Sequence, residues 1–377
     1  MMLGADKRLW RPAFLLGVLA VFLSVTAATV LAQKRLKDMP APPPLWKAKP
    51  TPTPAPTPEE KLEVIRTTSN LIMVPVSITD RDGQAVQGLT KDDFRLQEEG
   101  KQQEITGIGN PEEVPLAIAL LFDISSSVSQ KGFFQFQQQA AAAFLRQVMK
   151  PADRAAIFTI ADKPAMVQPL SAAEVATAKM LTIPPATSRV PTAFYDTVTA
   201  AAAYLETAPS QFRRVIVVIS DGEDNNSRRI LDVGTAESRA SQDGQLRPSQ
   251  ALAGSQARHR LALTEVQQAA QKADAIFYSV NPGGPSVRLN QIAMRAETGM
   301  EAIAEATGGT AFIPDGEKDL ERVFRQVGAE LRGQYLLQYY GSSDAPATQF
   351  RRIQVSVPAR TDVRGRARQG YYPKKQD

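Results

Sequence analysis

The chain has no cysteine, which excludes thiolate nucleophiles, Cys-ligated zinc, iron–sulfur clusters and disulfide staples. It has a single histidine, His259, so no pair exists for a His-ligated metal site. Ser-His-Asp chemistry would depend on that one residue, in a stretch with little apolar periodicity. An excess of one charge is lacking too. Lys and Arg total 44 against 39 Asp and Glu, a net +5 over 377 residues, with no basic stripe suited to nucleic acid. No Gly-rich phosphate loop is present. What remains is 43% apolar and 22% charged, the balance of a globular protein long enough for two domains.

The N-terminus carries the information on compartment. Lys7, Arg8 and Arg11 precede an uncharged, mostly apolar run from Ala13 to Ala32, and Lys34, Arg35 and Lys37 follow it. This order, with Val30-Leu31-Ala32 before Gln33, fits a secretory signal at 1–32. The run is also long enough to cross a bilayer once, so a retained N-terminal membrane anchor fits as well. Either way the remainder is exported: secreted, periplasmic or anchored at the cell envelope facing outward. Nine prolines fall between Pro40 and Pro58, so 33–59 reads as an extended polyproline-II linker. At about 3.1 Å per residue it spans on the order of 60 Å.

Period-2 alternation in Val74, Val76 and Ile78 predicts a strand, followed by a turn at Asp80-Arg81-Asp82-Gly83 and a hairpin strand from Phe94 to Gly100. From Val114 the texture changes. Leu116 to Phe122 is an unbroken apolar run, as a central parallel strand requires. Helical stretches are expected at 132–149, 193–206, 261–273, 288–306 and 317–332, and strands at 155–161, 214–220, 275–280 and 310–313. The fold class expected is α/β, a doubly wound, mostly parallel, Rossmann-like sheet. Strand texture returns at Tyr335–Tyr340 and Phe350–Val357. Neither flank has enough strands to stand alone, so the two are expected to join in a small β-sandwich-like module. The plan is therefore a β module at 60–112 and 334–377 around an α/β domain at 113–333. A surface insertion at 232–259 interrupts that domain and ends at a solvated His259. The eight Lys and Arg against two Asp from Arg351 to Asp377 read as a solvated strand face.

The chemistry is concentrated after Phe122, in Asp123-Ile124-Ser125-Ser126-Ser127. Ligands of open α/β sheets bind at the carboxyl ends of the strands. There a carboxylate with hydroxyls two and four residues on wraps one hard cation as the chain turns. Magnesium takes six oxygen ligands and keeps some waters, and one Asp with neutral hydroxyls leaves it net positive charge for an external carboxylate. Thr192 before a helix and Asp221 after a strand belong to the same edge. Taken singly, Ser127 and Thr192 fit helix N-caps and Asp221 a turn; their spacing, order and placement together point to a site.

At these residues the sequence resembles the von Willebrand factor A (VWA) domain. Asp123-x-Ser125-x-Ser127, Thr192 and Asp221-Gly222 match its metal-ion-dependent adhesion site (MIDAS) in order. The resemblance implies Asp123, Ser125 and Ser127 as primary ligands of Mg²⁺ (Mn²⁺ or Ca²⁺ as substitutes), with Thr192 and Asp221 completing the shell. The flanks are similar to a bacterial group of exported VWFA-related proteins, in Val74-x-Val76-x-Ile78-Thr79-Asp80, Gly88-Leu89-Thr90-Lys91-Asp92-Asp93-Phe94, Tyr335-Leu336-Leu337 and Arg366-Ala367-Arg368-x-Gly370-Tyr371. Val190-Pro191 departs from the Gly that often precedes the Thr, which implies a stiffer loop.

Three functions follow from these residues. The first is a metal-dependent adhesion module, not an enzyme, whose protein partner presents an acidic side chain. The second is an assembly component of a cell-envelope complex with a purely structural metal. The third is a metal-dependent hydrolase, which phosphoryl chemistry disfavours because Ser125 stands where a second carboxylate is needed.

Overall fold

In the computed structural model, residues 70–126, 134–231, 248–285, 290–341, 346 and 348–373 are described, all within one compact unit, Arg66–Asp377. The segments 1–32 and 33–59, Ser127 and residues 232–247 lie outside the described residues. Among the described residues no helix is long and apolar enough to cross a membrane.

Strand β1 (Asn70–Thr79) buries Val74, Val76 and Ile78 on one face, as their alternation predicts. Asp80 forms the turn that follows: its Oδ1 accepts the N–H groups of Asp82 and Gln84 at 2.9 and 2.8 Å. β2 (Arg95–Glu98) and β3 (Lys101–Gln103) form a hairpin across Glu99 and Gly100, whose φ of 48° and 75° suit a type I′ turn. β4 (Ile105–Gly109) then leads into the central sheet.

All eight residues of β5 (Leu116–Asp123) are buried. A strand with no polar face needs cover on both sides of its sheet, and helices supply it. β5 pairs in parallel with β6 (Arg154–Ile160) and β8 (Arg213–Ile219), and β8 with β9 (Ala275–Val280). With β7 (Ala165–Ser171) and β10 (Ala311–Phe312) as edges, the order is β10-β9-β8-β5-β6-β7. Leu116, Ile118, Leu120 and Phe122 pack on one side, against α1 (Phe134–Val148), α2 (Ala173–Met180) and a later helix at 317–333. Ala117, Ala119 and Leu121 pack on the other, against α3 (Phe194–Glu206), α4 (Pro248–Lys272) and α5 (Gln291–Thr307). This is a doubly wound, mostly parallel α/β sheet. Antiparallel β7 and helix α2 have no counterpart in the expected elements, because Pro169 and the polar face of an edge strand hide the alternation.

After α6 (Glu317–Gly333) the chain returns to β1. β11 (Tyr335–Gly341) pairs antiparallel with both β1 and β4, β12 (Arg351–Ser356) with β2, β13 (Arg364–Ala367) with β1, and β14 (Gly370–Tyr371) with β12. The result is two four-stranded sheets, β13-β1-β11-β4 and β14-β12-β2-β3, sharing a core of Val74, Phe94, Leu96, Leu337, Tyr339 and Ile353. Pro75 is tolerated inside β1 because β13 pairs only with Val76–Thr79, leaving no ladder partner for the missing N–H on that side.

Two expectations are corrected. Residues 248–259, placed in a surface insertion, form the first turns of α4, where Ala, Gln and Arg favour helix and Pro248 fits its start. The C-terminal cations are a solvated face only in part: Arg352, Arg360 and Arg364 are exposed, and three others are not. Arg351 pairs with buried Glu98 (2.5 Å), Arg366 with buried Glu330 (2.8 Å), and Arg368 with Asp274. Their strand faces look polar in sequence, but each guanidinium meets a carboxylate from a distant element.

Breaking a buried ion pair from one side costs about 3–5 kcal/mol, because the remaining charge is stranded. Arg351→Met is expected to lower the unfolding free energy by that amount, read as a lower denaturant midpoint at unchanged slope. Adding Glu98→Gln to it should recover part of the loss, and chemical denaturation of the three proteins checks this.

Candidate functional site at the carboxyl edge of the sheet

Asp123 ends β5 and is wholly buried, and Ser125, Thr192 and Asp221 are buried with it. The Asp123 carboxylate bridges two strands. Its Oδ1 accepts the Ser125 N–H at 2.8 Å, and its Oδ2 accepts the Ser220 hydroxyl at 2.5 Å from the end of β8. Ser220 Oγ in turn accepts the Gly222 N–H at 2.9 Å, which turns the chain at Asp221. Gly222 has φ 73°, a left-handed conformation that glycine adopts without strain, and a Cβ there would press on the Met300 side chain at 2.8 Å.

The Thr192 loop is tied to both neighbours. Ser126 N–H donates to the Val190 carbonyl (3.3 Å), and Ser126 Oγ accepts the Val190 N–H (2.6 Å). On the other side Thr192 N–H donates to Asn225 Oδ1 (2.9 Å), and its carbonyl accepts the N–H groups of Asn225 and Asn226. The structure thus brings Asp123, Ser125, Thr192 and Asp221 to one edge. Ser127 is the predicted site residue that lies outside the described residues.

Sequence reasoning missed the residues that hold this edge. Asp224 Oδ2 accepts the Tyr195 N–H (2.7 Å) and the Ser227 hydroxyl (2.6 Å), while Ser227 Oγ accepts the Asp196 N–H (3.0 Å). Asp196 closes the ring by accepting the Arg228 N–H at 3.0 Å. The start of α3 and the helical turn beginning at Arg228 therefore cap one another. The run Asp224-Asn225-Asn226-Ser227 before a helix was the available capping signal. Asp196, read as a plain first-turn acid, is part of this cap. His259 is half-buried in α4, its ring 6.0 Å from that of Tyr195, and burial with nearby Arg295 and Arg258 lowers its pKa to about 4. It is not the solvated residue expected.

Burial, and then the negative charge of Asp221, push the Asp123 carboxyl up to about 7, against the pull of hydrogen bonds from Ser125 and Ser220. Among the described residues no three His, Cys, Asp or Glu side chains converge, so a cation here would lean on hydroxyl oxygens beside two carboxylates. That donor set suits a hard, oxygen-loving ion, and two like charges forced together are what such an ion relieves. The residues present fit a divalent cation.

No family model matches the chain, and no curated protein does. Similar solved structures include a von Willebrand factor type A protein from Catenulispora acidiphila, 14% identical over 71% of this chain and 51% of that one, TM-score 0.42. The SpRpn10 VWA domain is 15% identical over 56% of this chain and 95% of its own, TM-score 0.37. Proximal thread matrix protein 1 from the mussel byssus, with a zinc-occupied MIDAS motif, is 16% identical over 61% and 49%, TM-score 0.39. The chain spans about half the length of the Catenulispora and mussel proteins. At such identities and TM-scores these likenesses say nothing of the chemistry of this chain.

A carboxyl raised from 3.8 to about 7 leaves the folded, metal-free protein holding a proton that the unfolded chain has lost, so this group's contribution to stability falls as pH rises through that window. In chelator, the melting temperature is expected to drop between pH 5 and 8 in wild type and to vary less in Asp123→Asn. Thermal melts across that range check it.

Proposed function

We propose that this chain is an exported, non-enzymatic binding module of the VWA type that holds one divalent cation, Mg²⁺ first among them. Asp123, Ser125, Ser127, Thr192 and Asp221 are its ligands, and an acidic side chain of a protein partner completes the shell. The observation that carries this reading is the placement of Asp123. It is a wholly buried carboxylate at the end of the central strand, bonded to the strand-end Ser220 beside Asp221, in the crevice where open α/β sheets bind ligands.

The cation supplies a directional positive anchor for a carboxylate. The chain's own residues do the positioning: Ser126 fixes the Thr192 loop, Gly222 allows the turn that follows Asp221, and the Asp224–Ser227 cap holds α3 in place. A buried ring of satisfied hydrogen bonds of this kind is preorganised, so little ordering remains to oppose binding. Export through 1–32 and a proline spacer at 33–59 that holds the head away from its attachment belong to the same proposal.

A ligand bound only by the native state at 100 times its dissociation constant adds about 2.7 kcal/mol. Melts of the full chain in chelator and then in Mg²⁺, Mn²⁺ or Ca²⁺ are expected to rise in wild type and not in Asp123→Ala. No rise with any cation, or an equal rise in the variant, would overturn the assignment.

A further inference from the structure

Residues 184–191 lead into Thr192 along the rim of the candidate cation site, and they are held more firmly than a surface loop usually is. Pro184, Pro185 and Pro191 fix their own φ and restrict the residues before them. Ser126 fastens the end of the loop. Its N–H donates to the Val190 carbonyl at 3.3 Å, its Oγ accepts the Val190 N–H at 2.6 Å, and its hydroxyl donates to the Ser188 carbonyl at 3.3 Å. Arg189 stands between these two anchored residues and three before Thr192, and Ser126 itself lies between Ser125 and Ser127 in the chain. The backbone of Arg189 is thus fixed at the rim. The residue is exposed, and its guanidinium makes no hydrogen bond or ion pair with a described residue.

The other charges at this edge are answered within the chain. Arg228 lies 4.0 Å from Asp196, and Arg229 pairs with Glu265. Exposed Lys163 directly follows exposed Asp162. Glu223 is half-buried and already engaged. Among the described residues of the rim, Arg189 is therefore the positive charge that no carboxylate offsets. A guanidinium on a fixed backbone suits a carboxylate from outside, which it meets with two parallel N–H donors.

Resting on the cation reading above, we propose that Arg189 determines specificity at the binding face, and that the partner is a protein segment with two adjacent acidic residues. One carboxylate completes the cation's shell, and Arg189 takes the second. A rim charge of this kind adds little affinity and chiefly rejects segments whose second position is neutral or basic. A segment with one isolated carboxylate is held by the cation alone.

The test is a ligand-observed NMR titration of the full chain, in Mg²⁺ and in chelator, with two end-blocked peptides, Gly-Glu-Glu-Gly and Gly-Glu-Gln-Gly. In Mg²⁺ at low salt, wild type is expected to hold the diacidic peptide about fivefold more tightly, beyond the roughly twofold gain that a second equivalent carboxylate gives statistically. High salt should shrink the preference. Arg189→Gln should bring the ratio down to about twofold, and Arg189→Lys should recover part of it, since it keeps the charge without the fork. The rise in melting temperature with Mg²⁺ alone should be the same in wild type and Arg189→Gln. That rise with equal ratios in the two proteins, or with no binding of either peptide, would overturn the proposal while leaving the cation in place. Absence of the rise in wild type would overturn the cation reading and this proposal together.

Discussion

The burial of β5 on both faces is the constraint from which the remainder follows. A strand with no exposed residue demands a helical layer above and below, and parallel neighbours on each side satisfy its backbone groups. Parallel neighbours require crossovers, and each crossover leaves a loop at the carboxyl edge. Asp123, Thr192 and Asp221 sit on three such strand ends and loops, so the site is a consequence of how the core is covered.

The same burial sets the chemistry. A carboxylate at the end of a wholly buried strand is removed from water, and a second carboxylate nearby disfavours its ionisation further. Hydroxyl and amide donors from Ser125 and Ser220 offset part of this cost without cancelling the charge. The loops of the site are locked by the Asn225 amide, the Ser126 and Ser227 hydroxyls and the Asp224 and Asp196 carboxylates.

The β module obeys a different logic. Its strands come from both ends of the described chain, so the sheets form only when β1 meets β11 and β2 meets β12 across the whole α/β unit. The Glu98–Arg351 pair joins residues 253 apart in sequence, and Arg366 to Glu330 and Arg368 to Asp274 tie the module's last strands to α6 and to the turn before β9. Closing loops of this length is slow but costs little more than closing shorter ones, and the shared apolar core supplies the compensation.

Much of this was legible in the residues alone, for physical reasons. The apolar run at Leu116–Phe122, the alternation at Val74–Ile78 and the acid–hydroxyl spacing after Phe122 are local patterns, and local patterns decide strand type, facing and the chemistry carried at a strand end. Antiparallel β7, the helical start of α4 and the partners that Asp224 and Ser227 cap at the start of α3 were not legible. Their stability comes from neighbours: an edge pairing with β6, packing of α4 along α3, and a helix N-terminus whose partner lies 29 residues away. By itself the sequence determined which segments are buried strands and which residue types stand at their ends, because burial and periodicity are written in adjacent positions. Only the tertiary structure decided that Ser220 bonds Asp123 and that Arg351, Arg366 and Arg368 meet distant carboxylates, because these depend on register between segments that share no local pattern.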